Sequence, residues 1–171
     1  MSKKPADPAN GGASAARQVP MRDFSRSLPM SLLRAREAVM RQFRPKLREH
    51  GLTEQQWRIL RALAAIEAAE VTELARTAFL LGPSLSRILR DLEARNLIER
   101  KTAKVDQRRS MVSISKEGVK LMAAVAPSSE AIYAEITQRF GARKLAELQE
   151  MLGQLESCLA STGASDVTDE T

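Results

Sequence analysis

The chain has 171 residues, 27 of them Lys or Arg and 21 Asp or Glu, a net charge of +6, with one histidine and one cysteine. That length can bury one ordinary core, while the lone Cys158 and His50 exclude an internal disulfide and a structural zinc site of Cys and His ligands. No apolar run approaches the roughly 18 residues of a membrane span, so a cytoplasmic chain without a membrane partner is expected, and the basic balance makes a polyanion the first partner to consider.

Residues 1–22 read as a disordered basic arm of small, polar and breaker residues, without the apolar stretch of a secretory signal. From 30 to 48, Leu32, Leu33, Val39, Met40, Phe43 and Leu47 share one helical stripe. Pro45 is expected to kink or end that helix near its last turn, and Gly51 breaks it. Thr53-Glu54-Gln55-Gln56 reads as a capping box, the Thr hydroxyl taking the amide of Gln56 while Gln56 reaches back. The helix it opens turns Trp57, Leu60, Leu63 and Ala64 inward. Thr72 is read as the cap of a short helix with Leu74, Ala75 and Ala78 at core spacing. Gly82-Pro83 starts the next, and its apolar set is Leu85, Ile88, Leu89 and Leu92.

After Asn96 the period changes. Residues 97–102 and 110–115 are short runs with β-branched side chains around a polar turn, 103–109, which is a hairpin by pattern. Ser115-Lys116-Glu117-Gly118 opens a long helix expected to bend at Pro127. Gly141 separates a last helix in which Leu145, Leu148, Leu152, Leu155 and Leu159 form a narrow pairing seam. Residues 161–171 are an acidic tail.

Helix, short helix, turn, helix, hairpin is the order of a winged helix-turn-helix, so the fold expected is mainly α with a small β-hairpin wing. On the helix from Pro83 to Arg95, at about 100° per residue, Ser86, Arg87 and Arg90 lie opposite the leucines with Ser84 at their flank. Small hydroxyls let a helix approach a groove, and arginine reaches base edges or phosphates. In the turn, Asp106 stands two residues before Arg108 and can hold its guanidinium, with Arg109 beside it. A pre-aimed arginine suits the negative potential of a narrow minor groove. The plainer readings are a solvated helix face and an ordinary charged turn.

These residues carry a resemblance. Leu74-Ala75, Pro83-Ser84-Leu85-Ser86-Arg87, Leu92-Glu93-Ala94-Arg95-Asn96-Leu97-Ile98 and Asp106-Gln107-Arg108-Arg109 with Ile114-Ser115-Lys116-Glu117-Gly118 resemble the MarR family of bacterial transcription regulators. Leu32-Leu33-Arg34-Ala35-Arg36-Glu37-Ala38, Phe43-Arg44-Pro45 and Leu52 to Ile59 resemble its branch that represses aromatic-acid catabolic operons. The resemblance implies a homodimer on double-stranded DNA at a palindromic operator, relieved by a small phenolic acid. It divides the chain into the arm 1–22, an N-terminal dimerisation helix 23–51, a winged helix-turn-helix 52–116, C-terminal dimerisation helices 117–160 and the tail 161–171. Asn96 stands where many members have Gly, and Asn tolerates the left-handed conformation.

Arg36 falls about 40° from Leu32, in the middle of the apolar stripe of the first helix. A buried guanidinium needs an anion. Two readings stay open: an internal pair with a carboxylate of another helix or subunit, and the carboxylate of an aromatic effector walled by Met40 and Trp57.

No nucleophile–base constellation or glycine-rich phosphate loop is readable, so neither an enzyme nor a cofactor is expected. Cys158 reads as packing beside the last seam. The competing class is a helical protein-interaction module without specific DNA binding.

Overall fold

The computed structural model describes residues 23–102 and 110–163. The chain separates into two compact units, 1–39 and 40–171.

In the first unit Asp23 caps a single 3-10 turn, Phe24–Arg26, its carboxylate accepting the Ser25 amide at 2.7 Å. The Ser25 hydroxyl and then that amide hold this carboxyl below the usual carboxylate range. Helix α1, Leu28–Glu49, begins here. Its apolar residues Leu28, Leu32, Leu33 and Val39 are all exposed. The stripe read from the sequence therefore exists as a pattern, but this half of it is not buried within one protomer.

In the second unit the same helix buries Phe43 and Leu47. It runs through Pro45 to Glu49 rather than ending there. A proline removes one N–H donor, and near a helix end the burial of Phe43 and Leu47 on either side outweighs that loss. The helix closes at Gly51, φ +65°, with Gly51 N–H on the Arg48 carbonyl and Leu52 N–H on the Leu47 carbonyl, both 2.9 Å. This is a Schellman ending, which needs a left-handed residue where the chain reverses.

Helix α2, Glu54–Ala64, starts from the expected capping box: Gln56 N–H reaches the Thr53 hydroxyl at 3.2 Å, and Thr53 N–H reaches Gln56 Oε1 at 2.8 Å. A two-residue strand, β1 (Ala69–Glu70), follows, too short to leave a period in the sequence. Helix α3, Val71–Thr77, has Glu70 at its N-cap, and Thr72 lies inside the helix instead of capping it. The strand pairing of Ala69 and Glu70 fixes where the helix starts. Helix α4, Gly82–Ala94, carries its proline in the first turn. It ends in another Schellman motif at Asn96, φ +57°, as the tolerance of Asn for that conformation suggests.

Strands β2 (Ile98–Thr102) and β3 (Ser110–Ile114) pair antiparallel, Ile98 opposite Ile114 and Thr102 opposite Ser110. β1 adds to the far side of β3, giving the order β1-β3-β2. Helix α5, Lys116–Phe140, continues through Pro127, and α6, Ala142–Gly163, reaches three residues into the segment read as tail. The core lies where α2, α3, α4, β3 and α5 meet: Ile59, Leu60, Leu63, Leu74, Leu85, Leu89, Leu92, Val112 and Val125 are essentially inaccessible to water. The fold is thus mainly helical with a small antiparallel sheet.

One contact fixes α5 against the corner between α4 and β2. The Ser115 hydroxyl donates to the Asn96 carbonyl at 2.6 Å and accepts the Gly118 N–H at 3.0 Å. A Cβ at Gly118 would lie 2.2 Å from the Leu97 carbonyl oxygen and 2.7 Å from Ile114 Cγ1. Gly118→Ala should therefore destabilise the protein by about 1–3 kcal/mol, the cost of overpacking. Urea unfolding measures it, and an unchanged midpoint would contradict this packing.

Candidate nucleic-acid interface

Helix α4 has two faces. Leu85, Leu89 and Leu92 are sealed in the core, with Ile88 half-buried beside them. Ser84, Ser86, Arg87 and Arg90 are all exposed. The structure thus places these four predicted site residues on one solvent-facing surface, because the leucines at helical spacing consume the other side. Arg90 Nε lies 3.4 Å from the Ser86 carbonyl one turn back. Asp106, Arg108 and Arg109 lie outside the described residues, between strands β2 and β3.

The first turn of α2 tethers this helix. Gln56, 8% exposed, uses its oxygen in the capping box and its Nε2 to donate to Asp91 Oδ2 of α4 at 2.6 Å. Arg95, at the end of α4, donates to the Gly51 carbonyl at 3.0 Å. Glu54, 14% exposed, accepts from Arg44 Nε and Nη2 at 3.2 and 3.1 Å on one oxygen and from Arg58 Nη2 at 3.0 Å on the other. Arg58 then donates to the Ala78 carbonyl at 2.8 Å, in the turn between α3 and α4. Charge-assisted bonds of this kind are short and directional, so α1, α2 and the turn before α4 form one linked frame. A capping signal was legible in the sequence, but the second role of Gln56 and the reach of Arg58 join residues far apart in the chain and carry no local pattern.

The residues read as an effector site are distributed differently. Arg36 is not buried: its side chain is 44% exposed and its Nη1 pairs with the neighbouring Glu37 at 2.8 Å. One partner is thus a carboxylate of the same helix, and Leu32, Leu33 and Val39 around it are exposed in the isolated protomer. Met40 is half-buried against the core, and Trp57 is 8% exposed. The Arg61 guanidinium, which the sequence gave no reason to select, lies 6.0 Å from the Trp57 ring centroid, within cation–π range. On α5 the Ser129 hydroxyl is buried with no hydrogen-bond partner among the described residues. Cys158 is exposed on α6 rather than packed.

Among the described residues no group of His, Cys, Asp and Glu could hold a metal ion, and no helix is long and apolar enough to cross a membrane.

Comparison with known proteins places this arrangement. The sequence profile of the MarR family matches residues 50–109. The chain is 41% identical over 126 residues to the homoprotocatechuate degradative operon repressor of Escherichia coli, covering 74% of this chain and 85% of that protein. Among solved structures, NadR in complex with 4-hydroxyphenylacetate is 36% identical with a TM-score of 0.69, covering 80% of this chain and 97% of that one. The repressor CouR bound to a 23-mer DNA duplex is 26% identical with a TM-score of 0.72, covering 77% and 94%.

Removing the Arg58 guanidinium leaves the Ala78 carbonyl and one Glu54 oxygen without that donor. Arg58→Met should cost about 1.5–3 kcal/mol, the scale of a charge-assisted hydrogen bond. It should also speed amide exchange in the Phe79–Leu81 turn. Wild-type stability and protection would show that the frame does not depend on this link.

Proposed function

The chain belongs to the MarR family of transcriptional regulators, and on that premise we propose that it is a homodimeric repressor of an aromatic-acid catabolic operon, released from a palindromic operator by a small phenolic acid. The observation that carries the reading is the polar face of α4, Ser84, Ser86, Arg87 and Arg90, on a chain 41% identical to a repressor of that kind. In this reading residues 52–116 bind DNA. Helix α4 enters the major groove, and Asp106 holds Arg108, with Arg109, for the minor groove. Residues 23–51 and 117–160 form the dimer interface, 1–22 and 161–171 are tails, and no cofactor takes part. The exposed Leu148, Met151, Leu152 and Leu159 of α6 support the pairing, since a contiguous apolar seam is a surface that a partner helix covers.

The effector part of the proposal uses Arg36, one turn before Met40 on α1, with Trp57 as the aromatic wall. NadR was solved with a phenolic acid of this chemistry. Arg61 over Trp57 is the rival anchor. The acid acts by preferring a dimer shape whose reading helices misfit the operator.

Selection from a random duplex pool should yield an inverted repeat with half-site centres about 10 base pairs apart. Arg108→Ala should lower the salt slope of binding by about one contact per subunit. Arg87→Ala should cost roughly 1–3 kcal/mol at one position per half-site if that arginine reads a guanine. Weak, sequence-indifferent binding would instead favour a protein-interaction module.

Arg36→Met should keep operator binding and lose release by 4-hydroxyphenylacetate, with coupling on the ordinary scale of about 1–3 kcal/mol. If Arg36→Met is still released and Arg61→Met is not, the anchor is Arg61. Calorimetry of acid binding separates the two, and a variant that no longer dimerises would mark Arg36 as structural.

A further inference from the structure

The turn joining α3 to α4 holds the two most exposed large apolar side chains among the described residues, Phe79 at 79% and Leu81 at 78%. Their neighbours point the other way: Ala78 is fully buried and Leu80 packs against the core. The alternation puts Phe79 and Leu81 together on the solvent side, where Gly82, Pro83 and Ser84 are also exposed. A Cβ at Gly82 would meet nothing within 4 Å, so nothing covers the chain at the step from Leu81 into α4.

Both positions forgo local stabilisation. Phe79 has φ +51° and closes α3 in the same Schellman arrangement that ends α1 at Gly51 and α4 at Asn96. Glycine and asparagine suit that conformation, whereas a large side chain is strained in it. Leu81 is the N-cap of α4 and makes no side-chain capping bond, where Ser, Thr, Asp or Asn would supply one. Strain kept at an exposed position is a pointer to function. The charge along this stretch of chain points to the occupant: between Glu73 and Asp91 it carries Arg76, Arg87 and Arg90 and no acidic residue. A polyanion with an apolar feature fits this surface, and the apolar feature of the major groove is the thymine methyl group.

We propose that Phe79 and Leu81 contact thymine C5-methyl groups at the edge of the major-groove site entered by α4. This makes them specificity-determining residues for a thymine in each half-site, and it rests on the reading of α4 as the DNA-reading helix. The local turn conformation is the device: a left-handed Phe79 and an uncapped Leu81 hold an apolar ledge beside Ser84.

The test uses the full chain and duplexes selected by it from a random pool. Each thymine of the selected motif is replaced in turn by deoxyuridine, which deletes the methyl group alone. Wild type should lose about fourfold in affinity per half-site at one thymine, the value of one buried methyl-sized group. Phe79→Asn, which keeps the left-handed turn, and Leu81→Ser, which supplies a cap, should bind thymine and deoxyuridine duplexes alike, with unfolding temperatures no lower than wild type. If wild type is indifferent to every deoxyuridine while Arg87→Ala still loses specificity, the ledge contact is overturned and the DNA reading stands. If the variants keep the full deoxyuridine penalty, the methyl is read by other residues. If wild type selects no motif, both readings fall.

Discussion

The rest of the structure depends on where the first turn of α2 is held. Thr53 and Gln56 cap it, and three side chains in or beside it tie it to other elements. Glu54 takes Arg44 from α1, Gln56 takes Asp91 from α4, and Arg58 takes the carbonyl that precedes the α3–α4 turn. Beneath it the leucines of α4 are sealed against α2 and α3. The polar face of α4 keeps one orientation only if the helix is held against rotation. Hydrophobic burial is non-directional, so the leucines alone would tolerate small rotations and slides. The hydrogen bonds from α2 have fixed donors and acceptors, and they remove that freedom.

The frame also runs from the second half of α1 to the turn before α4. Arg44 lies on α1, the helix that carries Arg36 and Met40, and Arg58 ends at the turn that carries Phe79 and Leu81. Between them stands one carboxylate, Glu54, accepting from both arginines. Burying a carboxylate is costly without partners. With two guanidiniums it is stabilised, and a shift of either arginine alters what the other sees.

Among the exposed apolar surfaces of the described residues, those of α6 and of the α3–α4 turn differ physically. The leucines and methionine of α6 are regularly spaced on a helix and belong to a seam that a second helix can fill. Phe79 and Leu81 are two residues on a turn, too small a surface to bind a helix, on a stretch of chain whose only charges from Leu74 to Arg90 are arginines. Burial statistics alone would treat both as unexplained hydrophobes; spacing, charge and backbone conformation separate them.

Much of this was present in the chain as local information. The capping box, the helix boundaries at Gly51 and Gly141, the apolar spacing of α4 with its polar opposite face, and the change of period into the hairpin each depend on residues within one or two turns of one another, so the sequence carries them whatever the rest of the molecule does. The family resemblance likewise rests on short contiguous motifs. Tertiary structure decided the rest. Pro45 lies inside a helix that continues to Glu49 because packing outweighs one missing N–H. β1 exists only as a partner for β3, and its pairing moved the start of α3 away from Thr72. Arg36 is half-exposed beside Glu37 although a helical wheel centres it among leucines, because a wheel ranks positions around an axis but does not say which side another element covers. The links from Gln56 to Asp91 and from Arg58 to Ala78 span 35 and 20 residues. No periodicity encodes a hydrogen bond across such a separation; it appears only when the core has brought the two segments together.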